Sequence, residues 1–152
     1  MNVKAMIEAD LKTAMLAGDK VLVTTLRGLK SAILYVEVAE GAREQGLSDD
    51  KVITILQKEA KKRQESADLF MQGGRPEKAE AEMVEKAVIE KYLPEQISED
   101  EIAKLVDEAI AASGGSTLQQ MGQIIGIVKQ KAGTSADGAL IAKLVKERLA
   151  SL

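Results

Sequence analysis

The sequence predicts an all-α protein: an amino-terminal domain of about four helices over residues 1–93, then a small three-helix carboxy-terminal domain over 97–152. Three observations lead there. Apolar residues recur three and four apart almost throughout, the period of one helix face. Aromatic residues make up 2% of the chain, only Tyr35, Phe70 and Tyr92, which argues against a strand-rich core. Gly18, Gly46, Gly73-Gly74, Pro76, Pro94 and Gly133 then punctuate the periodic stretches.

Each element follows in order. Val3, Ile7, Leu11 and Met15 step by four and predict a short first helix, which Gly18 ends and Asp19 follows as the next cap. Leu22, Leu26, Leu29, Ile33 and Val36 step 4, 3, 4, 3 along a second, heptad-like helix reaching about Glu44. Its economical partner is an antiparallel third helix, although the seam also suits dimerisation. Gly46 breaks the chain, Ser48 caps the third helix, and Val52, Leu56, Ala60, Ala67 and Phe70 form its apolar stripe. After Gly73-Gly74-Arg75, Pro76 suits a first helical turn, and Met83, Val84, Ala87 and Val88 carry a fourth helix toward Tyr92.

Pro94 lacks a donor N–H and disfavours helix in Leu93, so a domain border falls at Tyr92-Leu93-Pro94-Glu95-Gln96. Ser98 and Glu101 have capping-box spacing. Helix five turns Ile102, Leu105, Val106, Ala109 and Ile110 inward and ends at Gly114-Gly115. Helix six starts at Ser116 or Thr117 and ends at Gly133, and Asp137 caps helix seven, which runs through Leu149.

Composition excludes whole classes of chemistry. With no His and no Cys there is no zinc site of the usual ligands, no thiol nucleophile, no disulfide and no Ser-His-Asp triad. No cofactor is implied. Few aromatics speak against grooves that stack bases, so nucleic acid would be held mainly by phosphate. The longest apolar runs, such as Ala32 to Val36, fall far short of the roughly 18 residues of a membrane span. Met1 to Asp10 offers no long apolar segment or small-residue cleavage site, and the expected location is cytoplasmic.

Net charge is −3, but it is unevenly placed. Residues 117–152 carry five basic side chains, Lys129, Lys131, Lys143, Lys146 and Arg148, against Asp137 and Glu147. Such a cluster reads either as a solvated face or as an anion-binding one. Gly122 and Gly126 share a face of helix six, although each costs roughly 1 kcal/mol of helix propensity relative to alanine. Two readings compensate for that cost. Either two helices pack backbone to backbone there, beside Met121, Ile125 and Val128, or the face lets a bulky ligand backbone lie close.

The polar turn Gly133-Thr134-Ser135-Ala136-Asp137-Gly138 leads into a helix amino end suited to phosphate, but equally makes an ordinary capped turn. It lacks the spacing of a nucleotide-binding loop. Lys58, Lys61, Lys62 and Arg63 read as a solvated face with Glu59/Arg63 and Lys61/Glu65 pairs, the alternative being an RNA or partner contact. Glu80/Glu82 and Asp107/Glu108 do not face one another, so no acid/base dyad and no catalytic residue is assigned.

Taken together, the ordered motifs Leu26-Arg27-Gly28-Leu29-Lys30, Lys58-Glu59-Ala60-Lys61-Lys62-Arg63, Gly74-Arg75, Tyr92-Leu93-Pro94-Glu95-Gln96, Met121-Gly122 through Gly126, and Ala136-Asp137-Gly138 resemble the GatB/YqeY proteins. These are free-standing relatives of the tail of the B subunit of the bacterial glutamyl-/aspartyl-tRNA amidotransferase. The resemblance spans essentially the whole chain. It implies two helical parts and a tail that helps hold tRNA, its glycines matching Gly122, Gly126 and Gly133 and a basic position matching Lys129 or Lys131; with the local charge this gives an RNA-binding set of Gly122, Gly126, Lys129, Lys131, Gly133, Lys143 and Lys146. Gly138 matches a further family glycine. Relatives usually carry a basic residue where Ser135 stands, which removes one phosphate contact.

Three functions follow as expectations. One is a non-catalytic module for tRNA. Another is an adaptor that binds an amidotransferase or synthetase component through the amino-terminal helices. The third is the family-level carbon-nitrogen ligase activity with glutamine as amido donor, which would need Ser31 beside Lys30, or Ser66 four residues from Lys62, to be activated.

Overall fold

Nearly every helix begins on a residue whose side chain suits a cap. In the computed structural model, which describes residues 2–114 and 117–152, Asn2, Asp19, Ser48, Ser98 and Asp137 each accept a hydrogen bond from a first-turn amide. The described residues form seven α-helices and two short 3-10 turns, with no strand. The helices are α1 (Val3–Ala17), α2 (Lys20–Ala39), α3 (Asp49–Gln72), α4 (Pro76–Glu90), α5 (Glu99–Ser113), α6 (Met121–Ala132) and α7 (Gly138–Ala150). The chain divides into two compact units, Met1–Leu93 and Pro94–Leu152.

In the first unit α3 and α4 form a long antiparallel hairpin, and α2 packs chiefly against α1. That differs from the expected pairing of α2 with α3. Pro76 starts α4 directly after the Gly73-Gly74 turn, so α3 spends its length on α4. Ile7, Leu11 and Ala14 of α1, Leu26, Leu29 and Ile33 of α2, and Val52, Ile55, Leu56 and Ala60 of α3 close the core with Ile89.

Several expected positions shift. The second helix ends at Ala39 rather than near Glu44, because Gly41 adopts φ +66° and lets the Ala42 amide reach back to the Glu37 carbonyl at 2.8 Å. Met15 is 53% exposed, and Ala14 takes its inward place. Met83 and Val84 also face outward; Ala79 and Ile89 are the buried residues of α4.

The second unit packs α5, α6 and α7 around Ile102, Val106, Ala109, Ile124, Val128, Ile141, Val145 and Leu149. A 3-10 turn, Leu118–Gln120, precedes α6, which begins at Met121 rather than at Ser116 or Thr117. Gly115 and Ser116 lie outside the described residues.

Polar contacts, two of them from the buried Glu37 and Thr25, tie the first unit together. Glu37 is 1% exposed on α2, and the Lys4 ammonium of α1 sits 2.9 Å from its Oε1 and 3.2 Å from its Oε2. Only Oε2 has hydrogen-bond geometry, so Oε1 is held by charge alone among the described residues. The Val3 amide donates to Asp49 Oδ1 at 3.1 Å, fastening the start of α1 to α3. Thr25 donates to the Val21 carbonyl at 2.9 Å and lies 3.3 Å from Glu85 of α4.

Candidate nucleic-acid interface

Gly122, Gly126, Lys129 and Gly133 recur at steps of 4, 3 and 4, which places them on one side of α6 and at its end. Ile124 and Val128 occupy the opposite, buried side. Gly122 and Gly126 are exposed, and a Cβ built on either meets no described atom within 4 Å. Of the two sequence readings, backbone-to-backbone packing therefore has no support among the described residues. The inward stripe is also re-indexed: Ile124 and Val128 are buried, while Met121 and Ile125 are half-buried.

Lys129 leans from this face onto the next helix. A Cβ at Gly138 would lie 3.1 Å from Lys129 Cε and 3.3 Å from its Nζ, so the missing side chain leaves room for the lysine at the first residue of α7. Gly133 ends α6 at φ 58° and ψ −134°, with its amide bonded to the Lys129 carbonyl. Only glycine adopts that backbone readily. Between them, Gly133–Ser135 forms a 3-10 turn, and Asp137 caps α7 by accepting from the Ala139 amide at 3.2 Å. The Asp137 carboxylate thus already serves one first-turn amide and adds a negative charge beside it.

The Pro94-Glu95-Gln96 motif has a physical role in holding this turn. Gln96 Nε2 donates to the Pro94 carbonyl at 2.9 Å and the Thr134 carbonyl at 3.1 Å, and the Ile97 amide donates to the Ser135 carbonyl at 2.9 Å. The segment before α5 is stitched to the segment before α7.

The remaining basic residues do not form one patch with Lys129. Lys131, two residues on, points to another side of α6 and lines a hollow of about 340 Å³ with Ile97, Glu101, Lys104, Leu105 and Glu108. Arg148 lies 3.4 Å from Asp107 of α5. Lys143 and Lys146 are exposed three apart on α7. Lys129 and Lys131 also occupy the last turn of α6, where the negative end of the helix dipole favours cations, so part of the local charge has a structural cause.

In the first unit Lys58, Lys61 and Lys62 of the basic run are exposed, as a solvated face requires, but Arg63 is not. Glu59 and Arg63 are only 13% and 18% exposed, paired at 2.8 Å, and Arg63 Nη2 lies 3.7 Å from where a Gly28 Cβ would be. The LRGLK glycine thus seats the arginine of the neighbouring motif. Lys62 stands 3.7 Å from Glu59. Tyr92 donates from its hydroxyl to the Asp10 carboxylate, fastening the end of α4 to α1. Burial, then the Asp10 bond and charge, push the Tyr92 phenol above its ordinary range.

Ser31 and Ser66 make no hydrogen bond to a lysine among the described residues. No group of three or more metal-ligating side chains occurs there either. No described helix is long and apolar enough to cross a membrane.

Comparison with known proteins places these motifs. The family described as Yqey-like protein matches residues 4–149. The chain belongs to the YqeY-like family. This is the GatB/YqeY-type domain to which the motifs point. The YqeY-like chain is also similar to three fungal proteins named "Altered inheritance of mitochondria protein 41, mitochondrial". Identity is 34% over 89 residues in Eremothecium gossypii, covering 59% of this chain and 48% of that protein. It is 34% over 87 residues in Clavispora lusitaniae, covering 57% and 49%. In Pyrenophora tritici-repentis it is 25% over 146 residues, covering 93% and 77%. The chain thus spans about half the length of the first two relatives. Their names overturn the cytoplasmic expectation, since all three are called mitochondrial. The expectation rested on the first ten residues lacking a signal, which does not determine a compartment.

Proposed function

We propose that the carboxy-terminal unit is a non-catalytic RNA-binding module directed at tRNA, with Gly122, Gly126, Lys129 and Gly133 as its contact face. The carrying observation is that two exposed helix glycines with open space above them lie on the same side of α6 as Lys129. A helix face without side chains lets a sugar-phosphate backbone come close, and the adjacent ammonium supplies charge. Lys143 and Lys146, exposed on α7, form a separate basic pair outside this face. Lys131, on another side of α6, is left out of the contact face. The match to a family whose amidotransferase relative holds tRNA with this domain supports the reading. The relatives' names carry a mitochondrial setting to it in place of a cytoplasmic one.

The test is fluorescence anisotropy of the full chain against a bulk tRNA pool and a DNA duplex of equal charge, at two salt concentrations. Preferential tRNA binding with a steep salt slope is expected. Lys129→Glu is expected to weaken binding across tRNA sequences and to flatten the slope by about one contact. Absence of binding at low salt would refute the reading.

A second reading, an adaptor for an amidotransferase or synthetase component, is favoured by a different observation. Among the described residues, every exposed large apolar side chain except Leu152 lies in the first unit. A pull-down with the full chain that loses its partner on Tyr35→Glu would support it. Amide transfer from glutamine by this chain alone has no activated nucleophile behind it, and ammonia release from labelled glutamine by the purified protein would reinstate it.

A further inference from the structure

The surface of the first unit holds a groove whose two valines are among the exposed apolar side chains noted above. It lies between α2 and α4, has a volume of about 400 Å³, and is lined by Lys20, Val21 and Thr24 on one wall and Ala81, Val84 and Glu85 on the other. Val21 is 57% and Val84 46% exposed, so the two walls present their apolar groups to solvent. Both walls follow helix spacing: Val21 and Thr24 are three apart, as are Ala81 and Val84.

We propose that this groove is a self-association surface, occupied by the same groove of a second copy about a two-fold axis. The charges decide the occupant. The Lys20 ammonium makes no ion pair or hydrogen bond among the described residues, its carbonyl alone accepting from the Thr24 hydroxyl, and Glu85 only accepts weakly from Thr25 at 3.3 Å. The groove therefore carries an uncommitted cation on one wall and an almost uncommitted anion on the other. Lys20 is also the first residue of α2, where the positive end of the helix dipole disfavours a cation, so a carboxylate brought from outside is doubly welcome. A two-fold contact requires a surface complementary to itself. Turning one copy onto the other sets Lys20 against the partner's Glu85 twice, and brings the exposed Val21 and Val84 of each copy against those of the other. A foreign partner would need this charge pattern reversed; a second copy already has it.

The test is sedimentation velocity of the full chain across a concentration series up to about 1 mM, the weak end of specific association. A mass shift from monomer to dimer is expected. Lys20→Glu and Glu85→Lys are each expected to weaken dimerisation by at least about tenfold, because both cross-contacts become like-charged. An equimolar mixture of the two variants restores opposite charges at both contacts, so dimer of mixed composition is expected at the wild-type concentration. Val21→Arg, at an already exposed position that tolerates it, is expected to leave monomer. A chain that stays monomeric at every concentration overturns the proposal and leaves the groove to a different protein. So does a Val21→Arg protein that still dimerises, or a mixture of the charge variants, each of native helix content by circular dichroism, that fails to recover dimer.

Discussion

Replacing both α6 glycines with alanine separates folding from function on one surface. At Gly126, in the body of α6, a Cβ meets nothing within 4 Å, and φ is not in the left-handed region. Alanine there regains the propensity difference of about 1 kcal/mol without a clash. Gly122 is the second residue of α6, where the helix constraint is weaker, and contributes less. Gly122→Ala/Gly126→Ala is therefore expected to stabilise the unit by about 1–1.5 kcal/mol, which in a unit of this size raises its melting temperature by roughly 4–12 °C. In the same protein the two methyl groups stand where an RNA backbone would approach, and tRNA affinity is expected to fall while the salt slope stays unchanged, since no charge is removed. Thermal melts by circular dichroism and tRNA anisotropy on one preparation read both effects. A lowered melting temperature would show that the glycine face is packed after all. A stabilised protein with unaltered tRNA affinity would refute its role in contact.

Other perturbations test the frame. Lys4→Met strands the buried Glu37 carboxylate; breaking a buried pair costs about 3–5 kcal/mol, and with Lys4 one-third exposed the urea midpoint is expected to report about 2–3 kcal/mol. Adding Glu37→Met to it is expected to recover most of that loss, and a cycle without recovery would contradict the pairing. Gln96→Ala removes donors to Pro94 and Thr134, and amide exchange over Thr134 to Asp137 is expected to quicken, with a loss of about 1 kcal/mol. Tyr92 has its phenol pKa raised by folding, so its neutral form contributes stability that is fully present below the unfolded value of about 10 and is lost as pH rises beyond it. Denaturant titrations from pH 8 to 11 are expected to show that decline in the wild type and a shallower one in Tyr92→Phe.

The caps show most clearly what was legible in the sequence. Asp19, Ser48, Ser98 and Asp137 each bond the amide their position promises, because an N-cap needs only residues two or three apart in the chain. The glycine end of α6 and the proline start of α4 were readable for the same reason. The candidate site was legible in part: Gly122, Gly126, Lys129 and Gly133 share a face by arithmetic, but Lys131 was grouped with Lys129 by closeness in sequence, although two residues turn a helix by about 200°. Nothing local signalled that Lys129 would lie across Gly138, or that Glu59 and Arg63 would be tucked over Gly28, since each contact joins two helices.

By itself the sequence determined the all-helical class, the helix starts other than that of α6, and the family, since periodicity, capping and ordered motifs are properties of neighbouring residues. Tertiary structure alone decided that α2 packs chiefly on α1 while α3 pairs with α4. It also turned Met83 and Val84 outward and buried Glu37 against Lys4. A helix carries more than one face able to be buried, and which one is chosen depends on the shape and charge of helices distant in the chain.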